Sequence, residues 1–284
     1  MAIDQAELRD LLTAYRRENW KGIQTPEWQQ KIVASMLQDG EPAVLKRIAP
    51  YWSLPPGALI LDLGSGIGNF VVACRKQGLR AFGVEPDRIG MGSFLTSLQI
   101  ASKRLDIPAW AAAVGEQLPF RDATFDLVVL DQVIEHVNDQ KRVLSEALRV
   151  VKPTGVVYIA CPNYLRFYEP HYKIWFFPLL PKSLGSLYLR LRGRGPELLR
   201  QLRYTTNARV RKLLRDRKEI EKVIDLNRES FLAKCRERSF ASKKARAFQL
   251  LIRNRVIGST VLLAALLYIR LREGGSEMLA FRHL

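Results

Sequence analysis

Three glycines stand within five residues in "ILDLGSGIGNF" (60–70), where an apolar run ends and a helical pattern begins. Gly64, Gly66 and Gly68 there let the backbone turn sharply and approach a ligand without a Cβ in the way. The free N–H groups of the following helix point at the same place, which suits a carboxylate or phosphate. Glu85 closes the next apolar run, 17 residues past Gly68. A carboxylate at that position accepts hydrogen bonds from ribose hydroxyls in nucleotide-binding α/β sheets, although a lone Glu before Pro86 also suits a plain surface turn. The dinucleotide fingerprint is G-x-G-x-x-G; Asn69 occupies its last position here, which argues against NAD. Two further residues have the chemistry of a base. Asp131 follows the run "FDLVVL" and reads either as a reactive carboxylate at a sheet edge or as a helix cap. His171 lies in "CPNYLRFYEPHYKIWFFPLLPK" (161–182) and reads either as a packed core residue or as a proton acceptor.

These residues need a scaffold, and the apolar pattern supplies one. "ALILDL" (58–63), "AFGVE" (81–85), "AWAAAV" (109–114), "FDLVVL" (125–130) and "GVVYIAC" (155–161) read as five buried strands. Helical patterns lie between them over 68–77, 87–104 and 139–150, the last stopped by Lys152-Pro153. The alternation predicts an α/β fold, a doubly wound parallel sheet with helices on both faces. Residues 1–50 read as a helical cap, with Thr25 before Pro26 in the pattern of a helix start. After Lys182 the pattern predicts a mainly helical extension. Val210, Leu213, Leu214, Ile220, Val223, Ile224 and Phe231 trace one apolar stripe at helical spacing over 208–232. "VIGSTVLLAALLYI" (256–269) is shorter than the roughly 20 apolar residues a bilayer span needs, and reads as a buried or interfacial helix. "SEMLAFRHL" at 276–284 reads as a last strand on the sheet edge.

Charge divides the chain in two. Residues 1–164 hold 18 Lys+Arg and 18 Asp+Glu, whereas 165–284 hold 27 and 10, so the whole net charge of +17 lies in the second part. Such a region attracts phosphate groups: an anionic membrane surface, a phosphorylated acceptor or RNA. A charged, solvated helical face is the plainer alternative. Three Cys and three His are scattered, which predicts neither a disulfide framework nor a structural metal. The first 30 residues lack an apolar signal core, so the expected location is the cytoplasm, peripheral to a membrane.

"ILDLGSGIGNF", "GVEPD", "GEQLPFRDATFDLVVLDQVIEHV" and "LSEALRVVKPTGVVYIACPN" together resemble class I S-adenosylmethionine-dependent methyltransferases. The likeness is greatest to the subgroup that includes ubiquinone and menaquinone methyltransferases, and it covers roughly residues 55–165. It implies a Rossmann-like methyltransferase core over 51–165, between a cap at 1–50 and a basic substrate- or membrane-proximal region at 166–284. It implies S-adenosyl-L-methionine as cofactor, with Asp62, Gly64, Ser65, Gly66 and Gly68 around its methionine part and Glu85 on its ribose. Val114, Gly115 and Glu116 would border the adenine, and Leu130, Asp131 and Gln132 would face the reacting end. Many relatives carry an Asp aligned with Val114.

The implied reaction has a neutral leaving group, so it needs alignment and a deprotonated nucleophile rather than an acid. Asp131 and His171 are the candidate bases, while His136 in "IEHV" reads as a structural helix residue. Tyr164, Phe167, Tyr168, Tyr172 and Trp175 are placed to wall a pocket for a glycan, quinone-like or lipid-linked acceptor. The bland alternative has Trp175, Phe176 and Phe177 sealing the basic extension onto the core. The expected activity is methyl transfer to a hydroxyl or carbon of a small-molecule, glycan or lipid-linked acceptor. RNA methylation through the basic extension and a non-catalytic, membrane-associated scaffold are the alternatives.

Overall fold

The computed structural model describes residues 3–37, 42–86, 96–105, 107–237 and 275–283. Seven strands form one sheet in the order β3-β2-β1-β4-β5-β7-β6. β1 (Leu59–Leu63), β2 (Arg80–Glu85), β3 (Trp110–Ala112), β4 (Phe125–Asp131) and β5 (Val151–Pro162) are mutually parallel. β7 (Gly275–Arg282) runs antiparallel to both β5 and β6 (Ile220–Asp225). The strand order reverses between β1 and β4, and ligand crevices of open α/β sheets form at such a point, beyond the carboxyl ends of the strands.

Both faces of the sheet are covered, and alternate residues serve opposite faces. Leu61, Leu63, Val128 and Leu130 pack on the side of α6 (Gln140–Val150) and α9 (Asn207–Arg215). Ile60, Leu127 and Val129 pack on the other side, with α3 (Ala43–Ile48) and α4 (Asn69–Lys76). Asp62 shares that second face between Leu61 and Leu63, so a carboxylate is carried into the interior beside the glycine turn. α1 (Gln5–Asn19) and α2 (Pro26–Met36) pack through Leu8, Leu12 and Val33 onto Ile67 of the turn and Ile100 of α5 (Ser97–Ser102). Thr25 holds the N-cap position of α2 and Pro26 its first turn, although the Thr25 side chain makes no capping hydrogen bond.

Three expectations change. The supposed single stripe over 208–232 breaks at Asp216: Val210, Leu213 and Leu214 lie on α9, whereas Ile220, Val223 and Ile224 belong to β6. The β-branched residues of "IEKVID" find a strand partner in β7, and that pairing overrides the helical spacing. α10 (Leu226–Glu237) then resumes the helical course. The last strand is not at the edge; it is inserted between β5 and β6, with Met278, Leu279 and Ala280 fully buried. The extension therefore supplies two strands as well as α7 (Lys182–Leu191), α8 (Glu197–Gln201), α9 and α10. The 256–269 run and residues 87–95 of the expected 87–104 helix lie outside the described residues.

The aromatic stretch folds into its own small core. Tyr172, Ile174 and Phe176 bury against Ile23, Leu189 of α7 and Leu199 of α8. Phe167, Trp175 and Phe177 turn outward at the surface, where Phe167 stacks on Trp175 and Phe177 meets both edge-on.

Candidate active site

The turn after β1 is built as the glycine spacing predicts. Gly64, Gly66 and Gly68 all adopt positive φ, at +74°, +52° and +82°, where an L side chain is strained. At Gly64 a Cβ would also meet the Val133 side chain at 2.5 Å. Gly66 N donates to Glu85 Oε2 at 2.9 Å, so the glycine bend and the acid at the end of β2 share one cleft. Ser65 Oγ and Trp110 Nε1 are buried beside it without a hydrogen-bond partner.

Three carboxylates from three parallel strands converge here. Burial raises the pKa of Asp62 well above the carboxylate range, and Asp131 and Glu85 raise it further. Glu85 is raised by burial, against the pull of the Gly66 amide. Asp131 is raised by burial first and by Glu277 second, while Gln132 Nε2, 3.4 Å away, pulls it down. Water reaches Asp131 through the cavity, which limits that burial effect. Gln132 itself has a φ of +59°, a left-handed conformation that costs a non-glycine residue about 1–2 kcal/mol. Its amide donates to Ala160 O at 2.8 Å, which holds the strained tip of β4 in place.

A cavity of about 960 Å³ opens in front of Asp62 and Asp131. Glu85 and Gly68 stand behind its lining, Glu85 tied to it through the Gly66 amide. Asp62, Gly64, Ser65, Gly66, Asp131, Gln132, His136 and His171 all line it. The other sequence-derived positions stand elsewhere. Leu130 points into the core on the α6 side. Glu116 Oε1 receives the amides of Asn138 and Asp139 and so pins the entry to α6. Gly115 packs against Leu63 and Val143, and Val114 lies beside it, half-buried. From the aromatic segment the lining includes Pro170, His171 and Lys173, but not Tyr164, Phe167, Tyr168, Tyr172 or Trp175. Tyr172 is fully buried, with its hydroxyl donating to Gly195 O and accepting from Leu199 N.

His171 is held by a buried acid. Its Nδ1 lies 2.8 Å from Oε1 of Glu169, a fully buried residue that also receives Tyr164 Oη–H at 3.2 Å and Tyr172 N–H at 2.6 Å. His136, expected on a helix, instead sits in the turn between β4 and α6, its ring edge-on to His171 at 5.2 Å. Burial and then the His171 ring lower its pKa; with 39% of the side chain open to the cavity, solvent limits that effect. Behind the pair lies Glu135, fully buried, whose pKa burial pushes up to about 7.

Sequence reasoning missed Arg16, Gln24 and Glu135. Arg16 lines the cavity from α1, only 5% exposed, with its guanidinium 4.0 Å over the Trp20 ring and its pKa lowered by burial to about 10. Its Nη2 donates to Gln24 Oε1 at 2.7 Å, and Gln24 Nε2 donates to His171 O at 2.6 Å. The cap and the aromatic segment are thereby tied across the cavity mouth. One signal was present: Arg16 continues the buried stripe of Leu8 and Leu12 at four-residue spacing.

A family described as "Methyltransferase domain" matches residues 61–159, from the middle of β1 almost to the end of β5. Residues 61–159 are a class I methyltransferase domain. An uncharacterized methyltransferase of Mycobacterium leprae (strain Br4923) is 34% identical over 131 residues, 46% of this chain and 43% of that protein. A ubiquinone biosynthesis O-methyltransferase of Rhizobium rhizogenes (strain K84 / ATCC BAA-868) is 30% identical over 38% of this chain and 42% of that protein. The chain thus spans about half or less of these relatives. Among solved structures, Haemonchus contortus phosphoethanolamine N-methyltransferase 2, in complex with S-adenosyl-L-methionine, superposes with a TM-score of 0.52. It covers 98% of this chain and 60% of its own, at 18% identity, and shares the fold. The cleft in this chain suits a cationic ligand chemically. Asp62, repelled by both Asp131 and Glu85, favours a ligand with a cationic centre, and Ser65 Oγ is buried without a hydrogen-bond partner.

Proposed function

We propose that this chain is an S-adenosylmethionine-dependent methyltransferase that methylates a hydroxyl of a small-molecule, glycan or lipid-linked acceptor. The carrying observation is one cavity that joins the glycine turn to Asp131 and to a histidine oriented by a buried acid. Asp62, Ser65, Gly64 and Gly66 would hold the methionine part, and Glu85 would exchange its bond to the Gly66 amide for the ribose hydroxyls. When bound, the cofactor supplies an activated methyl group whose leaving group is a neutral thioether. The chain's own work is to orient the acceptor and remove its proton. Glu169 fixes the proton of His171 on Nδ1, so that Nε2 is the nitrogen left to take one. That polarised pair suits an acceptor whose proton must be pulled off, such as a hydroxyl or an acidic carbon. Asp131, whose carboxylate faces the same cavity, is the second proton acceptor.

The outer surface supports a lipid-linked acceptor and a peripheral membrane location. Leu184, Leu187 and Leu191 of α7 are 55%, 55% and 78% exposed. The outward rings of Phe167, Trp175 and Phe177 come from the segment just before that helix, and Lys182, Arg190, Arg192 and Arg194 lie on or next to it. Apolar side chains beside cations suit the interface of an anionic bilayer. Among the described residues no helix is long and apolar enough to cross one.

Calorimetric titration with S-adenosylmethionine tests the core of this reading. Saturable binding is expected, weakened at least tenfold in Glu85→Ala. Transfer of label from methyl-labelled cofactor to a hydroxylated acceptor panel should fall at least 100-fold in His171→Ala, with cofactor affinity retained, by the usual worth of a general base. Binding of NADH in place of S-adenosylmethionine would sink the proposal.

A further inference from the structure

We propose that Glu135, His136 and His171 form a binding site for a divalent transition-metal ion beside the acceptor end of the cavity. One ligand atom from each residue lies within 4.8 Å of the other two. Glu135 Oε1 is 3.9 Å from His136 Nε2, and both Glu135 oxygens are buried without a hydrogen-bond partner. A buried carboxylate left without partners is among the costliest features a fold can keep, and a cation between it and two imidazoles removes that cost.

The surroundings are built as a ligand shell. Glu169 takes Nδ1 of His171 at 2.8 Å, the carboxylate–histidine pairing that fixes the tautomer and leaves Nε2 to coordinate. Glu169 is itself fully buried and held by Tyr164 and Tyr172. The turn that carries the other two ligands is pinned at successive residues. Ile134 O accepts from Gln140 Nε2 at 2.8 Å, Glu135 O accepts from Arg203 N at 2.7 Å, and His136 N donates to Val133 O at 2.8 Å. Both histidines line the cavity, which gives an ion an entry path and leaves coordination positions facing the acceptor. Bonds of about 2.1 Å at tetrahedral angles place ligand atoms roughly 3.4 Å apart, so small side-chain rotations close the set. Two imidazoles and one carboxylate suit the Mn²⁺ to Zn²⁺ series rather than Ca²⁺.

Binding itself stands apart from the proposed function. The consequence rests on it and amends one role: with an ion on His171 Nε2, that nitrogen no longer takes a proton. The ion would polarise the acceptor hydroxyl and lower its pKa, and Asp131 alone receives the proton. Metal binding can be read without turnover. The full chain, stripped with chelator, is titrated with Mn²⁺ alone and free ion is followed by electron paramagnetic resonance, with Zn²⁺ as competitor. One equivalent is expected to bind. Glu135→Gln and His171→Ala should each weaken it at least tenfold, while the affinity for S-adenosylmethionine stays within twofold. His136→Ala decides if either of those variants does not fold. No stoichiometric binding, or binding that all folded variants keep, overturns the metal site. Metal binding without cofactor binding would instead remove the methyltransferase reading and leave this site standing.

Discussion

Asp62 shows how single residues divide between stability and ligand binding. It is carried into the interior by strand alternation and repelled there by Asp131 and Glu85. A carboxylate whose folded pKa is raised binds its proton more tightly in the native state, so it adds stability only at acidic pH and costs stability above the folded value. Asp62→Asn should therefore raise the melting temperature of the ligand-free chain at neutral pH, by about 2–4 °C for each kcal/mol relieved. The same change should weaken S-adenosylmethionine binding, and differential scanning fluorimetry with and without cofactor reads both. A lower melting temperature would show that the carboxylate is a structural acceptor instead.

Elements are positioned by a few polar ties, and α6 is the plainest case. Glu146 Oε2 accepts the Leu118 amide at 2.8 Å, and Arg149 binds both Glu146 and Asp122. Its hydrogen bonds to Arg149 first, and to the Leu118 amide, hold the Glu146 carboxyl below its ordinary value of 4.5. A depressed folded pKa means that this stability is fully present above about 4.5 and is lost as pH falls through the lower folded value. Glu146→Ala should cost about 1–3 kcal/mol at neutral pH by orphaning Leu118 N and Arg149. The gap from the parent chain should shrink in melts run below pH 4. β1, β2, β4 and β5 were legible because buried parallel strands are near-continuous apolar runs. β6 was not, since "IEKVID" is half-exposed and shares its spacing with the helix before it. At the site, the glycine turn was legible from local spacing. The partnership of Glu135 with His171 was not, because only the path from β4 through the whole of β5 brings those residues together.

Across the whole molecule, the excess positive charge lies in the second part of the chain, which also carries the outward rings and the leucine face of α7. Sedimentation with phosphatidylglycerol vesicles should capture the chain, and capture should weaken as salt rises. Trp175→Ala with Leu187→Ser should at least halve it, since these exposed side chains support no core; equal capture by neutral vesicles would refute the charge component. The sheet order also governs how the chain is made. β7 fills the place between β5 and β6, yet everything from Asp225 to Gly275 must be synthesised before it arrives. Until then β5 and β6 each present a bare hydrogen-bonding edge, a template for stray strands. A premature stop before Gly275 would leave both edges bare for good, and its product should collect in the insoluble fraction of the expressing cell.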